Sequence, residues 1–273
     1  MKIGINTFVT DEAIGAAALG RALEERGFES LFLAEHSHIP ASRKSPYPRG
    51  GELPRQYFRT LDPFVALGAI AAVTERLLLG TAVTLLIQRD VIHTAKEVAS
   101  LDHLSGGRAV FGAGVGWNRE EMADHGTDPR TRGALLDEQL AAIRAIWTDE
   151  LAEYHGEFID FDPLYAWPKP IQRPHPPIYI GGANAAAERA ARHGVGWIPN
   201  GVTSATEVAE QLAVLDGRDI PVTACPVPAD PTVLDAYAEA GVERVTLSLP
   251  THPEADALRK LDEFAELAQR YAA

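Results

Sequence analysis

The sequence predicts a (β/α)8 TIM barrel of parallel strands. Short β-rich runs alternate strictly with longer amphipathic stretches, the signature of β-α-β units. The count is eight of each. No Gly-x-Gly-x-x-Gly follows the first strand, which disfavours the rival, an open doubly wound sheet. The chain has 273 residues, close to the roughly 250 of one such barrel. A single domain over residues 1–273 is expected, with no internal repeat.

Lys2–Thr7 reads as the first strand, and Asp11–Arg26 as a helix stopped by Gly27 at its C′ position. Ser30–Ala34 is strand two, and a long loop follows it. Asp62–Val73 is a helix, with the acid as N-cap and Pro63 at N1. Leu77–Leu85 is strand three, and Val91–Leu104 a helix stopped by Ser105-Gly106-Gly107. Ala109–Gly112 is strand four. Thr131–Trp147 is a helix with Leu136, Leu140, Ile143 and Trp147 on one face. A small insertion then precedes strand five. Glu153–Asp162 alternates like a hairpin around His155-Gly156, and Pro163–Pro177 holds six prolines, which exclude a helix. The alternation resumes with strands Ile178–Ile180, Gly196–Ile198, Ile220–Ala224 and Arg244–Ser248. The helices Asn184–Arg192, Thr206–Leu215, Thr232–Ala240 and Glu254–Tyr271 follow them in turn.

Composition narrows the function. Hydrophobic residues make up 46% and charged residues 23%, the mix of a soluble globular enzyme. The net charge of −13 repels phosphate backbones, so no nucleic-acid partner is expected. No apolar run approaches the ~18 residues of a membrane span. No signal peptide is read at the N-terminus, so a cytoplasmic location and no membrane partner are the default expectations. Cys225 is the single cysteine, which leaves no intramolecular disulfide; a small buried thiol is its expected state.

Chemistry in such barrels sits at the C-terminal ends of the strands. Only strand two offers adjacent titratable groups there, Glu35 and His36. A histidine at that place can exchange a proton near neutral pH. Glycine pairs follow strands four and five. Gly181-Gly182, ahead of a helix, lets backbone N–H groups approach an anion. A catalytic metal is not expected, because strands five to eight bring almost no carboxylate or imidazole, and Asp102 and His103 lie towards the opposite face. Asn6, Phe8, Trp117, Asn200 and the long loop form the walls of a substrate pocket. That loop, Ser37–Thr60, carries Arg43, Lys44, Arg49, Arg55, Arg59, Tyr47 and Tyr57. A connection this long is commonly a lid or a binding loop, expected to hold an anionic tail or substrate.

Several motifs resemble the luciferase-like monooxygenase superfamily, and within it the branch of coenzyme F420-dependent oxidoreductases. They are Ala95–Arg108, which ends in Leu101-Asp102-His103-Leu104-Ser105-Gly106-Gly107-Arg108; Gly114–Glu121; Leu61-Asp62-Pro63 through Leu79-Gly80-Thr81; His155-Gly156-Glu157-Phe158; and Pro168-Lys169-Pro170 through Gly181-Gly182. The resemblance implies a (β/α)8 barrel in which Glu35 and His36 flank a deazaflavin ring. It implies a bulge in strand three, over Thr81, Ala82 and Val83, with a non-proline cis peptide at Ala82–Val83 backing that ring. Gly181, Gly182 and Ala183 match the cofactor phosphate site. Gly114, Gly116 and Glu120 fall in the loop over the cofactor side chain. Trp117 stands where some relatives place a glutamate proton donor, so Glu120 or Glu121 is either that donor or a helix cap. Ser105-Gly106-Gly107-Arg108 lies at the N-terminal mouth and reads as stability rather than chemistry. The implied reaction is hydride transfer between coenzyme F420 and a small organic substrate, with His36 exchanging the proton and Glu35 shaping its environment. The alternatives are a monooxygenase using reduced FMN and oxygen, and a flavin-binding barrel without turnover. Family likeness also implies a homodimer.

Overall fold

The computed structural model describes residues 1–271. In chain order its strands are β1 (Lys2–Thr7), β2 (Ser30–Leu33), β3 (Leu78–Thr81), β4 (Thr84–Leu85), β5 (Ala109–Gly114), β6 (Ala152–His155), β7 (Asp160–Leu164), β8 (Ile178–Gly181), β9 (Gly196–Ile198), β10 (Thr223–Val227) and β11 (Arg244–Ser248). The helices are α1 (Ala16–Glu25), α2 (Pro63–Ala71), α3 (Val91–Leu104), α4 (Arg119–Asp124), α5 (Arg132–Thr148), α6 (Asn184–His193), α7 (Ala205–Ala213), α8 (Pro231–Glu239) and α9 (Glu254–Gln269). The parallel strands run β10-β11-β1-β2-β3-β5-β8-β9. A Trp197–Val222 bridge joins the two ends of that order, and the Cys225 N–H donates to the Pro199 carbonyl at 3.1 Å. The result is the expected barrel of eight parallel strands. β6 and β7 form the expected antiparallel hairpin off the barrel.

The interior is filled by pairing a large residue with a glycine on the next strand. Phe32 stands opposite Gly80, where a Cβ would lie 2.5 Å from its ring. Tyr179 stands opposite Gly196, where a Cβ would lie 2.3 Å from its ring. With Val110, Ile198 and Cys225 they make one buried cluster. The outward residues of the strands, among them Ile3, Ile5, Leu31 and Leu79, pack against the helices in a second, larger core. Arg244 closes the N-terminal end, donating to both Glu29 carboxylate oxygens at 2.7 Å and to Thr223 Oγ1 at 3.0 Å.

Several boundaries differ from expectation, each for a local reason. Strand three is not continuous. It breaks at Ala82–Val83, which is cis as the resemblance implied, and resumes as β4 along β5. The Thr81 hydroxyl holds the break, donating to the Gly112 carbonyl at 2.7 Å and accepting from Thr84 Oγ1 at 2.9 Å. Helix one starts five residues late. Thr10 Oγ1 accepts from the Glu12 N–H, and Asp11 and Glu12 pair with Arg59 and Arg55 of the long loop. β10 starts after Pro221, whose carbonyl accepts from the Trp197 N–H at 2.9 Å. α7 starts one residue early, on a capping box of Ser204 and Glu207. α4 was not expected as an element; Asn118 caps it, accepting from the Glu121 N–H. Arg108 is structural, as read: it donates to the Ala71, Thr74 and Leu77 carbonyls past the end of α2.

Gly80→Ala should cost about 1–3 kcal/mol, since the new methyl overlaps the Phe32 ring. Gly68→Ala, in α2 with nothing within 4 Å, should instead stabilise by about 0.5–1 kcal/mol. Urea unfolding of the two variants checks both signs.

Candidate active site

The C-terminal mouth gathers its groups from β2, the long loop and α4. His36, 9% exposed, follows β2. Its Nδ1 lies 2.7 Å from Glu121 Oε2 on α4, and Glu121 is fully buried. The other carboxylate oxygen accepts from the Ser37 N–H at 3.0 Å. A carboxylate only accepts, so Nδ1 carries the proton and Nε2 is the free face of the imidazole. Nε2 has no hydrogen-bond partner among the described residues. Aromatic rings surround it, with Tyr57 at 5.2 Å and Trp117 at 5.7 Å between ring centres. Tyr47 and Phe8 complete the box against Tyr57. Burial, then the Tyr47 hydroxyl, holds the Tyr57 phenol well above its usual range.

Glu35 adjoins His36 in sequence but does not bond to it. One oxygen accepts from the Leu85 N–H at 2.6 Å, and the other takes Arg89 Nε at 2.7 Å. Arg89 also reaches Asp62 at 2.6 Å and Glu97 at 2.8 Å. The other Asp62 oxygen caps α2. Arg89 and Glu35 together thus tie β2, β4, α2 and α3. Burial pushes the Glu35 carboxyl above its ordinary value, only partly offset by Arg89. Burial would lower the Arg89 guanidinium, but the Glu35 charge and hydrogen bond hold it higher still. Arg89 had no signal in the sequence, because its three partners come from separate elements. Glu121 did have one: Asn118-x-x-Glu121 is a helix-start pattern, and it marks α4.

The other expected residues divide. Thr81, Ala82 and Val83 form the interrupted strand beside the mouth. Val83 fills the space above two glycines: a Cβ on Gly114 or Gly181 would lie 2.5 or 2.3 Å from its side chain. These glycines therefore leave room for Val83 against the backbone. Gly116 and Gly182 have φ of +63° and +136°, where glycine is favoured. Ala183 precedes α6, whose first turn has no side-chain cap. Glu120 is turned to the loop, accepting from the Ser45 N–H at 2.9 Å and from the Ser45 hydroxyl. Asn6 donates to the Phe32 carbonyl at 3.2 Å and bridges two strands. Asn200 is exposed, and its carbonyl accepts from Gln211. Cys225 is buried, and burial pushes its thiol up to about 12. Asp102 binds Gln172 and His103 binds the Lys169 carbonyl, both apart from His36. Among the described residues no helix is long and apolar enough to cross a membrane.

A parallel barrel with a buried histidine–glutamate pair at its C-terminal mouth and a broken third strand narrows the class of protein. The chain belongs to the luciferase-like monooxygenase family, which it matches over residues 10–260. It is 41% identical to an uncharacterized protein of Mycobacterium tuberculosis, over 97% of this chain and 98% of that one. An F420-dependent glucose-6-phosphate dehydrogenase of Nakamurella multipartita is 33% identical over 64% of this chain and 48% of its own. An FMNH(2)-dependent dimethylsulfone monooxygenase of Pseudomonas putida is 35% identical over 38% of this chain and 29% of its own. Coenzyme F420-dependent tetrahydromethanopterin reductase from Methanopyrus kandleri shares the fold, with a TM-score of 0.77 at 16% identity over 100% of this chain and 99% of that one. The protein is accordingly an enzyme of the oxidoreductase and monooxygenase class.

Arg89→Met strands three carboxylates at one junction. It should destabilise the protein by about 3–5 kcal/mol, with part recovered in Glu35→Gln/Arg89→Met, as read by denaturant unfolding.

Proposed function

We propose that this chain is a coenzyme F420-dependent oxidoreductase acting on a small organic substrate. The observation that carries the reading is the His36–Glu121 pair, 2.7 Å apart at the barrel mouth with Nε2 unpartnered. The F420-dependent relative supports the cofactor. The residues present fit such a group. The positive-φ glycines Gly116 and Gly182 bring bare backbone to the mouth, and the uncapped first turn of α6 suits a phosphate. When bound, the deazaflavin supplies two-electron hydride chemistry.

The chain's own residues do the rest. His36 accepts or delivers the substrate proton at Nε2. Glu121 fixes the tautomer and ring orientation through Nδ1 and balances the imidazolium charge. Glu35 acts at one remove: it holds the end of β2 against β4 through the Leu85 N–H and Arg89. Tyr47, Tyr57 and Trp117 keep water from the reacting atoms. A second reading, an FMN-dependent monooxygenase, has its support in the FMNH(2)-dependent relative.

Titration of the purified protein with coenzyme F420 and with FMN, followed by fluorescence, tests the cofactor. F420 should bind the more tightly. Selective FMN binding would move the reaction to monooxygenation, and binding of neither would overturn both readings. His36→Ala should lower kcat by about 10²–10⁴-fold with cofactor affinity kept. Glu121→Gln should lower kcat by at least about tenfold with KM little changed.

A further inference from the structure

We infer that residues 43–49 of the long loop, with Arg119 beside them, form a recognition site for a carboxylate or phosphate group on the substrate. The inference rests on the mouth being the reaction site. Of the five cations in the loop, Arg55 and Arg59 are neutralised by Glu12 and Asp11. Arg43, Lys44 and Arg49 make no ion pair among the described residues, and neither does Arg119. Four cations without an ion pair, three in the loop and one at the start of α4 on which the loop docks, stand out in a chain of net charge −13.

The stretch is anchored over the site. Ser45 donates its N–H and hydroxyl to Glu120, and its hydroxyl accepts from the Arg119 N–H at 3.1 Å. This docks the loop on the start of α4, immediately before Glu121. Tyr47 follows and packs edge-on against Trp117 and Tyr57. Two arginines of this stretch are free to receive an anion. Arg43 has a φ of +50°, uncommon for a side-chain-bearing residue. Its Nη1 is buried with no hydrogen-bond partner, whereas buried donors are nearly always paired. Arg49 is exposed, and it follows Tyr47 of the aromatic box by two residues. Guanidinium groups match planar carboxylates and phosphates in shape and charge. The rings beside them suit an apolar, flat body. The cofactor's own phosphate has a separate place, at the first turn of α6, three strands along from β2.

The probes are 2-naphthoate and its neutral amide, titrated against the full chain with tryptophan fluorescence as readout. The acid should bind at least about tenfold more tightly than the amide. Arg43→Ala/Arg49→Ala should erase the difference, and Arg43→Lys/Arg49→Lys should keep part of it. Arg49→Ala alone, at an exposed position, gives a folded variant in which the difference should shrink. Affinity for F420 or FMN, whichever binds, should stay the same in every variant. Equal binding of acid and amide to the unmodified protein would overturn the inference. So would a double variant that keeps the difference, or a loss confined to cofactor affinity, which would assign the cations to the cofactor instead. The titration needs no turnover, so its outcome is separate from the choice of cofactor.

Discussion

The barrel depends on volume shared across neighbouring strands. At two register pairs on adjacent strands, a side chain on the second strand would overlap the ring on the first. Phe32 therefore faces Gly80, and Tyr179 faces Gly196. The same rule operates at the mouth, where Val83 lies across Gly114 and Gly181. That placement lets the third strand break without leaving a hole, and the break sets the level at which the site begins.

Two carboxylates beside the site have opposite duties. Glu35 is adjacent to the histidine in sequence but turned into the wall, where it serves the backbone of β4 and the Arg89 hub. Glu121 comes from a short helix 85 residues further on and touches the imidazole directly. Proximity along the chain and proximity in the site are thus decoupled. The reason is their partners: Glu35 is held by the Leu85 N–H and Arg89, and His36 by Glu121.

The sequence alone was most informative where a pattern repeats or a local signal is strong. Strict alternation gave the barrel, Asp62-Pro63 marked the start of α2, and Gly27 the end of α1. His36 was legible because only β2 ended in titratable groups. Boundaries failed where distant partners decide them. Asp11 and Glu12 read as helix, but arginines 48 and 43 residues away pair with them in a turn. Ile220 read as strand, yet pairing begins only beyond Pro221. Gly114 and Gly181 also have a packing role that only the structure shows, since a side chain on either would overlap Val83. Arg89 could not have been found at all, since its role exists only once four elements meet.

The ion pairs around the site fall into two groups by exposure. Arg89 and Glu35 are 15% and 7% exposed at their side chains, whereas Arg55 and Glu12 are 71% and 42%. Mobile ions screen the second kind strongly and the first weakly. Raising the ionic strength therefore weakens the Arg55–Glu12 pair of the long loop more than the Arg89–Glu35 pair at the end of β2.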